Sequence, residues 1–114
     1  MSVTLKTRHV GDVTIMDVSG RIVLGDGMGN LRREMRRLLE KGSTRILLNL
    51  SGVTYVDSAG VGELIASYVS VRKAGGTMKL IRLPDRLEEL LLVTRLYVIF
   101  DIRESEDNAI RSFV

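Results

Sequence analysis

The sequence of 114 residues contains no cysteine, no tryptophan, one proline and one histidine. Without cysteine there is no disulfide framework and no thiolate metal site, so a reducing compartment costs the fold nothing. The single imidazole, His9, also leaves the chain without the paired histidines typical of transition-metal sites. These absences argue against redox and metal chemistry, and we expect neither a metal site nor a cofactor of the protein's own.

Long apolar runs are absent as well. The longest stretch without a charged residue covers residues 46–56, whereas a helix needs about 20 apolar residues to cross a bilayer. Residues 1–8 lack the apolar core of a signal peptide. The sequence therefore predicts a soluble, cytoplasmic protein without a membrane partner. Its 17 basic and 14 acidic residues give a net charge of +3, which helps solubility but does not by itself indicate nucleic-acid binding.

The composition fits one globular domain. Hydrophobic residues make up 45% and charged residues 27% of the chain, and this length suffices for a core without covalent staples. No repeat, low-complexity tract or linker divides the sequence. We therefore expect a single domain over residues 1–114, monomeric or weakly dimeric.

Strand-like and helix-like segments alternate along the chain. Two apolar, β-branched segments flank Gly11 and Asp12 and predict an antiparallel hairpin. The later apolar strands alternate with helical periodicities, which predicts βαβ crossovers and an α/β fold. The expected strands are residues 3–7, 13–18, 46–50, 78–83 and 98–102.

Four helices are expected between and after these strands. The inward-facing positions are Leu31, Met35, Leu38 and Leu39 in the first, Val61, Leu64, Ile65, Tyr68 and Val69 in the second, and Leu87, Leu90 and Leu91 in the third. Asp85, with Glu88 three residues later, predicts a reciprocal cap for the third helix. Ser105 is expected to cap the last helix, with Ile110 and Phe113 as its buried contacts.

The junction VDSAGVG is the least ordinary stretch of the sequence. If the strand ends near Val56, Ser58 lies at or beside the next helix's N-cap, and capping alone would explain a serine. However, Val61 stands where a capping box would have its acid. Gly60 and Gly62 each weaken the first turn by about 1 kcal/mol relative to alanine. We interpret them as keeping the helix start bare for an approaching protein or phosphate.

The stretch LLNLSGVTYVDSAGVGELI, followed by AGGTMKLIRL, resembles the STAS domain, specifically the stand-alone anti-sigma factor antagonists of bacteria. The resemblance extends from VSGRIV to the last helix. It implies a mixed β-sheet with an N-terminal antiparallel hairpin, βαβ crossovers and about four helices.

The resemblance also implies a partner-switching function, with Ser58 as phosphoacceptor beside Asp57, Ala59 and Gly60. In such systems the unphosphorylated antagonist binds an anti-sigma factor, which is often itself a serine kinase that uses Mg-ATP, and the sigma factor is released. Phosphorylation ends binding, and a separate phosphatase restores it. This chain would then be substrate and ligand, not an enzyme, and the kinase would hold the Mg-ATP.

The expected partner surface combines the helix after Ser58 with the preceding glycine loop. Its residues are Leu24, Gly25, Asp26, Gly27, Asp57, Ser58, Val61, Gly62 and Ile65, with Leu64 as an alternative to Ile65. The chain departs from the family pattern at four positions, which are Val23 and Asn49 in place of aspartates, Ala59 in place of a second serine and Arg95 in place of a glycine. These departures leave Ser58 without a neighbouring phosphoacceptor and leave the partner's identity open.

Three other functions are alternatives to partner switching. A serine hydrolase needs a base near its nucleophile, and Val56 stands where a nucleophile elbow has its first glycine. A nucleic-acid module would use the basic cluster Arg32, Arg33, Arg36, Arg37 and Lys41, but a solvated helix face is favoured because no aromatic platform accompanies it. The third alternative is a STAS subunit of a larger signalling or transporter-regulating assembly.

Overall fold

Strands and helices alternate around one mixed sheet in the computed structural model, which describes residues 3–24 and 28–113. The strands are β1 (Thr4–Val10), β2 (Val13–Ile22), β3 (Arg45–Val56), β4 (Thr77–Ile81) and β5 (Asp101–Arg103). The helices are α1 (Met28–Glu40), α2 (Ser58–Lys73), α3 (Asp85–Val93) and α4 (Glu106–Ser112), with a 3₁₀ turn at Leu96–Val98. The predicted α/β class is confirmed.

The sheet has the order β1-β2-β3-β4-β5. Strands β1 and β2 form the predicted antiparallel hairpin, closed by Val10 opposite Val13, and Gly11 supplies the turn with φ of 59°. The other three pairs are parallel. Because a parallel connection needs a crossover, one helix lies between each of these strands and the next.

Two cores cover the two faces of the sheet, because neighbouring strand residues point to opposite sides. Met16, Leu48 and Leu80 belong to the larger core under α1, α2 and α3. Their neighbours Ile15, Leu47 and Ile81 belong to the smaller core under Ala109 and Phe113 of α4. Both cores are well buried, since all six of these strand residues have no measurable exposure.

Several predicted boundaries and contacts differ from the structure. The first strand was expected at 3–7 but is Thr4–Val10, and the fourth was expected at 78–83 but is Thr77–Ile81. The last was expected at 98–102 and is only Asp101–Arg103, because Arg95 enters the left-handed region at φ of 61° and Leu96–Val98 then form a 3₁₀ turn. The two middle strands extend past their predicted ends, to Ile22 and Val56.

Two helix predictions are wrong. Pro84 holds the N-cap of α3 without a side-chain hydrogen bond, so Asp85 lies inside the helix and does not cap it. Val69 is 42% exposed, while Ser67 and Val71 face the core. Val69 had been assigned to the core because it lies four residues after Ile65. The core-facing residues at the end of α2 are instead Ser67 and Val71, which continue the face of Leu64. Ser105 does cap α4, accepting from the Asn108 N–H at 3.1 Å, as predicted.

A charged network ties α4 to the hairpin. The Arg8 guanidinium donates to Asp17 at 2.7 Å and to Glu106 at 2.6 Å. The Asn49 amide donates a further hydrogen bond to Asp17 at 2.8 Å. These bonds, led by those from Arg8, hold the pKa of both carboxyls below their usual values.

Candidate functional site

The junction of β3 and α2 is organised by the Asp57 carboxylate. One oxygen accepts from the Gly60 N–H at 2.8 Å, and the other accepts from the Leu24 N–H at 3.1 Å. The backbone N–H of Asp57 donates to the Ile22 carbonyl at 3.3 Å. Asp57 therefore caps α2 and joins the start of this helix to the chain leaving β2.

Ser58 is the first residue of α2 and is exposed. The hypothesis that serine is the capping side chain is wrong, because Asp57 holds the N-cap position. Ser58 lies beside the cap, the other position that the sequence allowed. Its hydroxyl is thus presented at a helix start that another side chain already caps.

The electrostatic setting of Ser58 combines a positive helix end with a neighbouring carboxylate. Hydrogen bonds from the N–H groups of Gly60 and then Leu24 hold the pKa of Asp57 below its usual value, so this carboxyl is ionised at neutral pH. The first turn of α2 carries no acidic residue. A helix N-terminus attracts anions. The N-terminus of α2 therefore offsets part of the repulsion that the Asp57 carboxylate would exert on a negative charge at Ser58.

The two glycines of this turn have different causes. A Cβ on Gly60 would lie 2.1 Å from the Ile22 carbonyl oxygen, and Gly60 is buried. The interpretation that Gly60 keeps the surface bare is therefore wrong, because this glycine is required for helix α2 to approach strand β2. Gly62 is exposed, and a Cβ there would meet no atom within 4 Å. Only Gly62 fits the interpretation of a bare surface.

The structure separates the expected partner residues into three groups. Leu24, Ser58 and Gly62 are exposed, and Leu24 reaches 75%. Asp57 and Ile65 are partly exposed, as is Ala59, the predicted neighbour of the phosphosite. The remaining described residues, Val61 and its neighbour Leu64, are buried in the larger core and do not form surface. The predicted contacts Gly25, Asp26 and Gly27 lie outside the described residues.

Sequence reasoning missed an aromatic residue beside this surface. Tyr55 is 41% exposed, and the Arg21 guanidinium lies 5.6 Å from the centre of its ring. The two residues are direct partners in the β2–β3 register. The available clue in the sequence was the uncharged run of residues 46–56. A strand that extends to Val56 places Tyr55, and with it Arg21, next to the Asp57 junction.

The basic cluster of α1 is partly neutralised by its own neighbours. Arg32 pairs with Glu63, whose side chain is 5% exposed, and Arg37 pairs with Glu34. Arg36 remains exposed. This pairing agrees with a solvated helix face better than with a row of phosphate contacts.

The sequence and the fold both resemble those of known proteins. The STAS domain family profile matches residues 4–109. The chain belongs to the STAS domain family. Among curated relatives, it is 33% identical to the anti-sigma-B factor antagonist of Bacillus subtilis over 81 residues, which are 71% of this chain and 73% of that protein.

Solved structures show the same fold for this STAS domain. An anti-sigma factor antagonist from Mycobacterium paratuberculosis superposes with a TM-score of 0.85 at 20% identity, covering 98% of this chain and 94% of that one. The Bacillus protein SpoIIAA superposes with a TM-score of 0.72 in its unphosphorylated form, at 15% identity and 96% coverage of both chains. Its phosphorylated form gives the same TM-score at 16% identity, covering 96% of this chain and 98% of that one.

No helix within residues 3–24 and 28–113 has both the length and the apolar character required to cross a membrane.

Proposed function

We propose that this STAS domain is an anti-sigma factor antagonist that releases its partner when Ser58 is phosphorylated. The observation that carries the proposal is an exposed hydroxyl at the first position of α2, beside a carboxylate that already caps the helix. The name of the Bacillus subtilis relative supports the antagonist function. SpoIIAA, which exists in a phosphorylated form, supports the modification.

The fold should tolerate a phosphate on Ser58. A phosphoserine carries a charge of about −1.5 to −2 at neutral pH. The N-terminus of α2 offsets part of this charge, and the residue is exposed to water. Since Asp57 rather than Ser58 caps the helix, modification removes no capping bond. The domain therefore stays folded while its surface changes charge.

A bound partner experiences the phosphate differently. An interface formed over the neutral hydroxyl would have to desolvate the phosphate next to the ionised Asp57, and a partly unmatched buried charge costs several kcal/mol. A penalty of about 3 kcal/mol weakens a complex roughly a hundredfold. That difference is sufficient to switch partners.

The proposed cycle assigns each activity to a separate protein. The anti-sigma factor is a serine kinase that brings Mg-ATP to Ser58, and a serine phosphatase restores the hydroxyl. The antagonist itself contributes the presented serine and the surface around it, with Leu24 and Gly62 as exposed contacts. It acts as ligand and substrate rather than as a catalyst.

Phosphorylation of defined serine variants tests the site. The anti-sigma kinases of the source organism, each purified, are incubated with Mg-ATP and the domain, and the products are measured by intact-protein mass spectrometry. Wild type and Ser70→Ala should gain one phosphate, since Ser70 is an exposed serine on the same helix, whereas Ser58→Ala should gain none. A phosphate that persists on Ser58→Ala would refute the assignment.

A further inference from the structure

The largest concentration of exposed apolar side chains lies away from Ser58, at the β5 end of the sheet. Val93 and Val98 are 73% and 72% exposed, and Leu92 is 54% exposed. Tyr97 and Ile102 are 46% and 42% exposed. We call these five residues the β5 patch. Leu92, Tyr97 and Ile102 line one cleft, and exposed apolar side chains grouped in this way often mark an interaction site.

Two adjoining clefts run beside the β5 patch. The first, of about 260 Å³, is lined by Leu83, Glu88, Leu91, Leu92, Tyr97 and Ile102. The second, of about 230 Å³, is lined by Asp85, Glu88, Glu89 and Leu92. The clefts share Glu88 and Leu92. The first is thus largely apolar, and three acidic residues line the second.

The second cleft is lined by three carboxylate side chains. Among the residues that the structure describes, none of Asp85, Glu88 and Glu89 forms an ion pair. All three are exposed. Their combined negative charge favours a cationic group placed beside the apolar cleft.

The β5 patch also lies at an open border of the sheet. β5 is the last strand in the order, and Ser58 follows β3, two strands away. Neighbouring strands are about 4.8 Å apart. The β5 patch is therefore a separate surface from the start of α2, about 10 Å away across the sheet.

We propose that the β5 patch docks a helical segment of a partner protein that presents leucine-like side chains beside lysine or arginine. The apolar side chains would occupy the first cleft and the cations would face the carboxylates of the second. This inference goes beyond the proposed function, since such a partner would keep the antagonist in a complex whether or not Ser58 is phosphorylated.

Other occupants fit the charge of the β5 patch less well. A symmetric second copy would bring the same three carboxylates toward one another across a two-fold axis. An anionic membrane surface would be repelled by them. The charge pattern therefore favours a cationic protein segment over both.

Binding of designed peptides tests this inference. The probe is a fluorescein-labelled amphipathic helical peptide with leucines on one face and arginines beside them, and its control carries glutamate at each arginine position. Fluorescence anisotropy with the full chain should show binding of the arginine peptide only. Backbone amide shifts in NMR spectra should map it to α3, Leu96–Val98 and β5.

Matched variants separate specific docking from general attraction. Glu88→Lys and Leu92→Ser should each weaken binding at least about fivefold, as expected for central contacts. Glu40→Lys and Val69→Ser, which change an exposed acid of α1 and an exposed apolar residue of α2, should leave binding unchanged. Urea unfolding of each variant checks that it remains folded.

Three outcomes would overturn the proposal. They are no binding of the arginine peptide, equal binding of the glutamate peptide, and amide shifts that map outside the β5 patch and its clefts. Sedimentation of wild type as a dimer that Leu92→Ser dissociates would assign the surface to a second copy instead. Because the assay contains no kinase and Ser58→Asp should bind the peptide like wild type, its failure leaves the Ser58 proposal intact.

Discussion

The starts of α2 and α4 use the same capping principle toward different ends. Asp57 caps α2 through the Gly60 N–H, and Ser105 caps α4 through the Asn108 N–H. The first turn of α4 carries two acids, Glu106 and Asp107, whereas the first turn of α2 carries none. Acids in a first turn stabilise a helix through its dipole. At α2 the negative charge comes from the N-cap carboxylate of Asp57 itself, and the first turn adds none.

The first residue of α4 stabilises the fold, whereas the first residue of α2 is accessible from the solvent. Glu106 is committed to a fold contact, because Arg8 joins it to Asp17 on β2. Ser58 occupies the corresponding first helical position of α2 and is exposed. A phosphate on Ser58 would add negative charge to the first turn of α2, where α4 carries Glu106 and Asp107.

The largest effect is expected from Gly60→Ala. The new Cβ would lie 2.1 Å from the Ile22 carbonyl oxygen, so α2 must shift away from β2. Overpacking of this kind costs about 3 kcal/mol, measured as the free energy of unfolding in urea. Gly62→Ala is the matched control, since its Cβ meets nothing within 4 Å, and it should stabilise the domain by up to about 1 kcal/mol. Equal effects of the two substitutions would contradict the roles assigned to these glycines.

The two caps should also differ in cost. Ser105→Ala should destabilise the domain by about 1 kcal/mol, the usual value for a lost serine cap. Asp57→Ala should lower the urea midpoint further, because the Leu24 N–H loses its acceptor together with the Gly60 N–H. Ser58→Ala, which removes a hydroxyl that does not cap the helix, should leave the midpoint nearly unchanged. A Ser58→Ala effect as large as that of Asp57→Ala would return the capping role to the serine.

A smaller effect is expected from the charged contact that secures α4. Arg8→Met should destabilise the domain by about 1 kcal/mol at neutral pH, since the arginine side chain is 40% exposed and solvent weakens its ion pairs. The folded-state pKa values of Asp17 and Glu106 lie below their ordinary values of 3.8 and 4.5. The stabilisation is therefore complete above about pH 5 and disappears as the pH falls through the folded pKa values.

Urea midpoints measured at several pH values test this contact. The difference between wild type and Arg8→Met should shrink as the pH is lowered from neutral toward pH 3. Arg72→Met, which changes an exposed basic residue of α2, should show no such convergence. A difference that is constant across this range would show that Arg8 acts through packing alone.

The sequence sufficed for the fold class because the patterns are local. Hydrophobic periodicity identified α1 and most of α2, and Ser105 was recognisable as a cap because serine is favoured before a helix. The choice between Asp57 and Ser58 as the cap of α2 could not be made from the sequence, because both residue types are favoured at that position. The requirement for Gly60 was equally invisible, since it depends on a carbonyl of β2 that lies far away in the chain.

Other features escaped prediction because tertiary context overrode local preference. Leu96–Val98 have strand-like composition, but the left-handed conformation of Arg95 turns them into a 3₁₀ turn. The exposed pair of Arg21 and Tyr55 depends on the register between β2 and β3. The sequence therefore sufficed to propose a partner surface around Ser58, while its exposed and buried members could be separated only in three dimensions.

The most direct test of the switch compares the unmodified and the singly phosphorylated domain. The affinity of each for the kinase that modifies it is measured by isothermal titration calorimetry, and urea unfolding of each is measured in parallel. We expect phosphorylation of Ser58 to weaken the complex by about a hundredfold, which corresponds to about 3 kcal/mol, and to leave the urea midpoint essentially unchanged. Equal affinities, or a loss of folded structure on phosphorylation, would contradict the proposed switch.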